Sequence, residues 1–561
     1  DGGTTFRTFA PAAQRVSVIG EFNGWTETPM NRVHDGNFWE CTINDVGSDL
    51  MYKYRIYRQD GSFVDHADPY AFYSEMRPGT ASKTYALGGY EFGDSKWLKN
   101  RKASYDKPVN IYEMHFGSWK KRGEGQEDWY TYEELAPILI TYLKEHGYNY
   151  VEIMPLCEYP CDESWGYQDT GYFSPTSRYG KPEELKAFVD QCHQAGIGVI
   201  LDFVPVHFAV NDYALAEYDG TALYEVKDPE MAVHPMWGTM LYNYDSPMVM
   251  DFLISNACFW LEVFHVDGLR MDDVDAMLYL DYGRKDGWTP NMYGSNENLP
   301  AIEFLKHLNS IVKKRDPGAL LIAQEDGLWP ELTDSVENDH IGFDYKWSGG
   351  WTRDFLFYLS VDPILRKNYH DQLTLSTLYA YSEHYILTLG SRDVGSLEEF
   401  MAKLPGDEKQ KLAQVREAYS YMMVHPGCKM MAPGAAIPEE LGKCIQALNT
   451  LYKSSPALYQ MDDEYDGFEW VQLMKYEENV ITFLRKTEKP EETLLVICNF
   501  AAIPYENYQV GVPFAGKYKE IFNSDAVEFG GEGVVNSRVK TAKAEECDER
   551  EHSINCLLYT S

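Results

Sequence analysis

Arg270 and Asp272, two residues apart, are the first candidates for chemistry in this chain. They lie in FHVDGLRMDD, where apolar and charged residues are interleaved before turn-prone residues, as in a short buried strand that ends in charge. Residues two apart on a strand point the same way, so the guanidinium of Arg270 should lie beside the carboxyl of Asp272. A nearby guanidinium keeps a carboxylate ionised, as a nucleophile attacking a sugar carbon requires. A purely structural Arg–Asp pair has the same pattern.

The segments around this pair alternate between short apolar runs and amphipathic stretches. About eight strand candidates separated by helix-length segments occur between residues 108 and 434, which predicts a parallel sheet closed into a (β/α)₈ TIM barrel. An open doubly wound sheet is the alternative. It would need a Gly-rich phosphate turn after its first strand, and VNIYEMHFGSW has none.

Short alternating runs flank the barrel on both sides and predict two β-sandwiches. In the first, Trp25 and Trp39 are candidates for stacking on sugar rings, although tryptophans in a core are commoner. The predicted divisions are an N-terminal sandwich at 1–95, a linker at 96–107, the barrel at 108–460, a C-terminal sandwich at 461–545 and an irregular tail at 546–561.

Polar residues stand at four predicted strand ends, where apolar residues would serve a core better. A single Asp or His at a strand end usually caps a helix, but four such ends in one barrel favour an active site at the carboxyl ends of the strands. The residues concerned are Asp202 and His207, then Arg270 and Asp272, then Gln324, Glu325 and Asp326, and finally Ser391, Arg392 and Asp393.

Composition restricts the partners of this site. The net charge of −37 and the lack of a Lys/Arg cluster argue against nucleic acid and anionic lipid. The sequence contains no apolar run of 18 residues, so no membrane span is predicted. Ten scattered cysteines are typical of a reducing cytoplasm. We expect a cytoplasmic monomer or small homo-oligomer that acts on a neutral substrate.

The residue types at the strand ends favour carboxylate chemistry without a cofactor. His207 stands alone among carboxylates, without the second histidine of an H-x-x-x-H pair, so no metal site is predicted. No G-x-S-x-G motif marks a serine hydrolase. With these two excluded, the remaining interpretation is a retaining glycosidase, in which a carboxylate nucleophile and a carboxylic acid lie about 5–5.5 Å apart. The 14% of residues that are aromatic are available as platforms for sugar rings.

Several long motifs resemble the α-1,4-glucan branching enzymes of the α-amylase superfamily, and the resemblance covers nearly the whole chain. They are MPLCEYPCDESWGYQDTGYFSPTSRYG, DFVPVHF, HVDGLRMDDVDAMLYLDY, GFDYKWSGGW and LPGDEKQK. The opening segment with FNGW looks like the carbohydrate-binding module found in such proteins, and SPALYQ precedes the C-terminal sandwich as a related motif does in the family.

The resemblance implies a role for each matching residue. Asp272 would be the nucleophile, which captures a cut α-1,4 chain as a covalent glycosyl-enzyme before the 6-hydroxyl of another glucose attacks. Gln324 falls on the acid/base position and Asp393 on that of a third, transition-state-stabilising carboxylate. The substrate-binding positions would be Trp165, Tyr167, Asp202, His207, Arg270 and Arg392.

Three departures from the family pattern bear on turnover. First, the family's I-A-E-E motif reads I-A-Q-E here, at residues 322–325. The first glutamate of the motif is thus replaced by Gln324, and a glutamine has no proton to donate near neutral pH. The family's S-H-D-E is S-R-D-V here, matched to Asp393 only if an extra Gly390 is accepted. Third, the loop that follows this strand in the family is missing after CKMMAPG. Apart from these three, Tyr159 stands where the family usually has His.

Three hypotheses follow. The chain is a branching enzyme whose turnover is impaired by Gln324, a non-catalytic α-glucan-binding homologue, or an α-glucan hydrolase, which would need the same acid. Glu325 could replace the acid only if the strand slipped by one residue, because a slip of one sends a side chain to the opposite face.

Overall fold

Nine short strands form the N-terminal part of the computed structural model, which describes residues 2–559. They make a three-stranded sheet in the order β1-β5-β4 and a second sheet in the order β3-β2-β6-β9-β8, with β7 on β6. Their bounds are β1 Gly3–Phe9, β2 Arg15–Gly20, β3 Thr28–Pro29, β4 Asn31–Val33, β5 Phe38–Asn44, β6 Met51–Tyr57, β7 Phe63–His66, β8 Tyr73–Ser74 and β9 Ser82–Lys83.

The two tryptophans proposed as sugar platforms in this part differ in exposure. Trp39 is buried and its indole N–H donates to the carbonyl of Ala10 at 3.0 Å, so it is a core residue and not a platform. Trp25 is exposed and has a left-handed backbone with φ 61°. Only Trp25 remains available to a ligand.

Eight parallel strands close a barrel in the centre of the chain, as predicted. Its order is β10-β11-β14-β17-β18-β19-β20-β21, and β10 pairs with β21 to close the ring. Two small antiparallel sheets of two strands each, β12–β13 and β15–β16, extend from it. The bounds are β10 Asn110–Met114, β11 Tyr150–Ile153, β12 Cys157–Glu158, β13 Gly171–Pro175, β14 Gly198–Phe203, β15 His207–Phe208, β16 Met240–Leu241, β17 Gly268–Met271, β18 Leu320–Ala323, β19 Tyr345–Trp347, β20 Tyr385–Leu389 and β21 Cys428–Met431.

Helices connect the barrel strands, and their ends follow local sequence signals. At the start of the helix over Tyr132–His146, the Thr131 hydroxyl accepts from the Glu134 N–H while the Glu134 carboxylate accepts from the Thr131 N–H, a capping box. The helices are α1 Ser95–Asn100, α2 Phe116–Trp119, α3 Tyr132–His146, α4 Pro182–Gln194, α5 Pro229–Ala232, α6 Pro247–Val263, α7 Val274–Leu278, α8 Leu299–Arg315, α9 Gly349–Ser360, α10 Asp371–Thr374, α11 Ser376–Tyr379, α12 Ser391–Val394, α13 Leu397–Ala402, α14 Glu408–Val424 and α15 Glu439–Ser454.

The apolar residues of the barrel strands divide between two layers. One cluster, which includes Ile111, Ile200 and Ile322, is separate from the larger core that also contains the helices. Strands buried on both faces are typical of a parallel barrel. In residues 2–559, no helix combines the length and apolar character needed to cross a bilayer.

The segment predicted as an irregular linker, 96–107, is helical in its first part. Helix α1 covers Ser95–Asn100, and the indole N–H of Trp97 donates to Asp267 at 2.7 Å. The prediction missed this helix because its contact with the barrel is made by Trp97, which reaches the distant residues Asp267 and His193.

Seven strands form the C-terminal sandwich, and one of them lies in the segment predicted as an irregular tail. Strand β28 pairs antiparallel with β25 across a bulge, so that prediction is wrong for residues 552–558; residues 560–561 lie outside the described part. The bounds are β22 Phe468–Gln472, β23 Val480–Arg485, β24 Leu494–Asn499, β25 Tyr505–Val512, β26 Lys517–Tyr518, β27 Lys540–Thr541 and β28 His552–Leu558.

Candidate active site

Arg270 is the centre of the site at the carboxyl ends of β14 and β17. Parallel pairing places Asp202 directly beside Arg270. The fully buried guanidinium donates to Asp202 Oδ1 at 2.9 Å and to Asp272 Oδ1 at 2.6 Å. It also lies 4.4 Å from the ring of Trp347, a cation–π contact. The strand alternation therefore brings these charges together as predicted from their spacing.

The electrostatics of Asp272 follow from its two arginine neighbours. Burial by itself would raise the pKa of this carboxyl, but Arg392 and Arg270 hold the pKa below its ordinary value. Arg392 contacts Asp272 Oδ1 at 2.9 Å, the same oxygen that Arg270 contacts. Asp272 is thus an ionised carboxylate with one oxygen engaged by two guanidinium groups.

Tyr167 and Trp165 form the aromatic side of the site. The Tyr167 hydroxyl donates to Asp202 and accepts from Arg270 at 3.1 Å. The Arg392 guanidinium lies over the Tyr167 ring, 4.6 Å from its centroid. Trp165 is 43% exposed and stacks on His115 with ring centroids 4.8 Å apart. Trp165 offers an open aromatic face, whereas Arg392 covers that of Tyr167.

Gln324 follows β18 and is held at both ends of its amide. Its Oε1 accepts from the backbone N–H of Asp273 at 2.7 Å, and its Nε2 donates to Asp326 Oδ2 at 2.9 Å. The opposite amide orientation would set an NH₂ against an N–H, so these partners define the orientation. Gln324 is therefore tied to the residue that follows Asp272.

Glu325 does not face the site. It is fully buried and its carboxylate accepts from the Lys346 ammonium at 2.7 Å on the neighbouring strand β19. The side chains of Gln324 and Glu325 thus have separate partners, as expected for adjacent residues at a strand end.

Arg392 and Asp393 lie on α12, a single turn after β20. The Asp393 carboxylate accepts from the N–H of Gly390 at 2.9 Å and so caps its own helix. Burial, with Glu113 adding to it, raises the pKa of Asp393 to about 7. At this strand end the contact with Asp272 is made by Arg392.

His207 is buried beside His234, a second histidine that no sequence motif indicated. The ring of His234 lies 5.2 Å from that of His207, and its Nε2 pairs with Asp273 Oδ2 at 2.8 Å. Burial lowers the pKa of His207 to about 4, so it is neutral near pH 7. The Asp272–Asp273 doublet was visible in the sequence, but no local signal linked it to His234.

The ligand atoms of His207, His234 and Asp273 lie within 4.8 Å of one another, close enough to surround a metal ion. The hydrogen bonds of His234 oppose this. The backbone N–H groups of Met236 and Trp237 point at His234 Nδ1, at 3.2 and 3.3 Å, so Nδ1 is an acceptor and the proton is on Nε2. A metal-bound Nε2 would require the opposite tautomer. The geometry favours an Nε2–H donor to Asp273.

Tyr159, which stands where the family usually has His, lies away from these contacts under the guanidinium of Arg178, 3.7 Å from the ring centroid. The segment after β21 that lacks the family loop runs from Ala432 to Pro438, and the carbonyl of Pro433 accepts from the Tyr112 hydroxyl. These two departures are therefore compatible with local packing.

Three family models match the chain. They are carbohydrate-binding module 48 (isoamylase N-terminal domain) at residues 1–71, the alpha amylase catalytic domain at residues 139–222, and the alpha amylase C-terminal all-beta domain at residues 470–559. The matches agree with a barrel between two β-domains.

The chain is similar to curated relatives over nearly its whole length. It is 42% identical to the 1,4-alpha-glucan branching enzyme GlgB of Halothermothrix orenii, over 99% of this chain and 92% of the relative. It is 43% identical to the GlgB of Marinobacter nauticus, over 95% of this chain and 89% of the relative. Pullulanase from Bacillus acidopullulyticus shares the fold, with a TM-score of 0.67 at 16% identity over 92% of this chain and 70% of that one. The chain therefore belongs to the 1,4-alpha-glucan branching enzyme family of the alpha-amylase superfamily.

Proposed function

We propose that this protein binds α-1,4-glucan at the barrel mouth and that its branching reaction is suppressed. One observation carries the proposal: Arg392 engages the carboxylate of Asp272 and covers Tyr167, while Gln324, to which the resemblance gives the acid/base position, is hydrogen-bonded to the residue after Asp272. In this proposal Asp272, Gln324 and Asp393 occupy the three catalytic positions of the family.

The lack of a proton donor supports suppressed turnover. Glycosyl transfer with retention needs a carboxylic acid that protonates the departing oxygen, and losing such an acid costs about 10²–10⁴ in rate. The Gln324 amide has no acidic proton and both its ends are hydrogen-bonded. Glu325 cannot substitute, because it is fully buried against Lys346.

The surroundings of Asp272 support the same conclusion. Two guanidinium groups on Oδ1 stabilise the carboxylate and lower its nucleophilicity. Arg392 also lies where an attacked sugar would stack on Tyr167. A sugar entering this subsite must displace that guanidinium.

Glucan binding is supported by the part of the site that keeps its polar contacts. Asp202, Arg270 and Tyr167 form one hydrogen-bonded unit, and His207 is buried next to it. Trp165 presents an open ring, and aromatic faces with nearby hydrogen-bonding groups are suited to sugars. We place the protein in the cytoplasm, because all ten cysteines are free thiols.

The test measures binding and branching on the same preparations. Amylose should slow migration of the protein in a native gel, while the iodine absorbance of amylose stays unchanged. The Gln324→Glu/Arg392→Ser variant should form α-1,6 linkages at least ~10²-fold faster, because it restores a proton donor and frees Asp272. Gln446→Glu, on the exposed face of α15, is the matched control. Branching by the unmodified chain at the rate of the double variant would refute suppression.

A second candidate function is slow branching with Asp393 as the proton donor. It is favoured by the pKa of about 7 for this carboxyl, which leaves it partly protonated near neutrality. Asp393→Asn would then abolish residual branching, and the rate would fall as the pH rises through 7. Residual activity that survives Asp393→Asn excludes this candidate.

A further inference from the structure

Glu152 on β11 is a fully buried glutamate beside Arg270 that has no role in the site described above. Within residues 2–559, no group donates a hydrogen bond to either of its carboxylate oxygens. Its ion-pair contact is with Arg270, whose Nε lies 3.9 Å from Glu152 Oε2, beyond hydrogen-bond distance. An ionised carboxylate in this place would lack the donors that normally compensate a buried charge.

Arg270 directs its hydrogen bonds away from Glu152. Its Nε donates to Asp202 Oδ1 at 2.9 Å, and its Nη1 donates to Asp272 Oδ1 at 2.6 Å. Its Nη2 donates to the other oxygen of Asp202 and to the Tyr167 hydroxyl. If Glu152 were ionised, it would therefore compete with Asp202 and Asp272 for this guanidinium.

The layer of the barrel that adjoins Glu152 is apolar. Residues two apart on a strand share a face, so Tyr150 precedes Glu152 on the same face, and Ile200 precedes Asp202 in the same way on β14. Tyr150 and Ile200 both pack in the separate apolar cluster that contains Ile111. A charge next to such a layer is poorly solvated, and burial then favours the neutral form of an acid.

The charged groups that face Glu152 from other strands are Glu113 on β10, Asp202 on β14 and Arg270 on β17. Burial raises the pKa of Glu152 well above its ordinary value, Asp202 and Glu113 raise the pKa further, and Arg270 opposes them. Glu113 has a donor of its own, because its Oε1 accepts from the Ser391 N–H at 2.9 Å. Glu152 has none, so a proton shared among these carboxyls belongs on Glu152.

We propose that Glu152 is a neutral carboxylic acid that donates a hydrogen bond to Asp202 and so keeps Arg270 directed at Asp202 and Asp272. Glu152 is then a positioning residue, because it acts on the groups that hold the sugar and not on the sugar itself. Active sites of other proteins also keep a buried carboxyl neutral so that it can donate. The inference rests on the proposed function, in which Asp202 and Arg270 bind glucan.

Infrared spectroscopy of the full chain at pH 7 tests the protonation of Glu152. The difference between the unmodified chain and Glu152→Gln should contain the carbonyl stretch of a protonated carboxyl, because the substitution removes that acid. Glu145→Gln, at an exposed position of α3, is the matched control and should remove a carboxylate stretch instead. A carboxylate stretch in the difference for Glu152→Gln would overturn the inference.

Titration calorimetry with maltoheptaose tests the positioning role. Glu152→Met removes the donor to Asp202 and should weaken binding about 3–10-fold, whereas the conservative Glu152→Gln, whose amide can donate, should recover the affinity. Unchanged affinity in Glu152→Met, or equal weakening in both variants, overturns the inference. So does a Glu152→Gln chain that does not fold, since an uncharged isostere should replace a neutral acid. If the unmodified chain does not bind maltoheptaose, the proposed function fails, and the infrared spectrum alone decides whether Glu152 is the neutral acid.

Discussion

The two sides of the barrel mouth differ in how their charges are compensated. On the side of β14 and β17, Arg270 bridges Asp202 and Asp272, and the pKa of Asp272 is lowered. On the other side, around Asp326, the pKa values of Asp275 on α7 and Asp393 on α12 are raised to about 7 by burial and neighbouring carboxyls. On the first side, ion pairs to Arg270 fix the charges. On the second side, the Asp275 and Asp393 carboxylates have no ion pair with any residue in the described range 2–559, and Gln324 contacts Asp326 there.

Under the proposed function, this difference separates binding from turnover within one site. The hydrogen-bonded unit of Arg270, Asp202 and Tyr167 does not depend on an acid at position 324. Arg392, from the second side, contacts Asp272 and adds a charge to a carboxylate already paired with Arg270. We therefore propose that the fold keeps a sugar site while Arg392 and Gln324 suppress the chemistry.

The largest effect is expected from removing the arginine that compensates the carboxylates on the side of β14 and β17. Arg270→Met should lower the free energy of unfolding by about 3–5 kcal/mol, because it leaves Asp202 buried without its arginine and leaves Asp272 with Arg392 alone. Arg392→Met is the matched control on the other side; its side chain is 42% exposed, so the loss should stay below about 1 kcal/mol. Urea unfolding measures both. Equal losses would show that the two sides are not distinct.

A smaller effect is expected on the second side, where the free energy of unfolding should depend on pH through Asp275. The folded-state pKa of Asp275 is raised to about 7 by burial and by Asp273 and Asp326, so its protonated form is favoured by folding. Its stabilising contribution is present below the unfolded pKa of about 4 and is lost as the pH rises through 7.

Asp275→Asn should therefore unfold like the unmodified chain near pH 4 and be more stable by about 1–2 kcal/mol at pH 8, measured by urea unfolding at both values. Asp286→Asn, at an exposed position, is the control and should show no such pH dependence. A gain that is the same at both pH values would contradict the raised pKa.

The smallest expected effect concerns the open aromatic face. Trp165→Ala should weaken maltoheptaose binding by about 3–10-fold, the equivalent of about 0.5–1.5 kcal/mol for one ring contact. Phe514→Ala, which removes a 44% exposed ring on the C-terminal sandwich, is the control. Calorimetric titration gives both constants. If Trp165→Ala binds as tightly as Phe514→Ala, the sugar does not lie on Trp165.

Local patterns in the sequence were enough to predict the barrel and the pairing of Arg270 with Asp272. Strand alternation is a property of the backbone, so two residues on one short strand can be related without knowing the rest of the fold. Helix α1 and strand β28 were missed, because each is stabilised by contacts with distant segments, such as the bond from Trp97 to Asp267.

By itself, then, the sequence determined the eight-stranded barrel, the strand ends that carry charge and the glutamine at position 324. The tertiary structure alone decided that Arg392 reaches Asp272, that Glu325 pairs with Lys346 and that His234 meets Asp273. The physical reason is that side chains in loops and one-turn helices take their direction from partners far away in the chain. His234 and Asp273 are 39 residues apart, and no local period relates them.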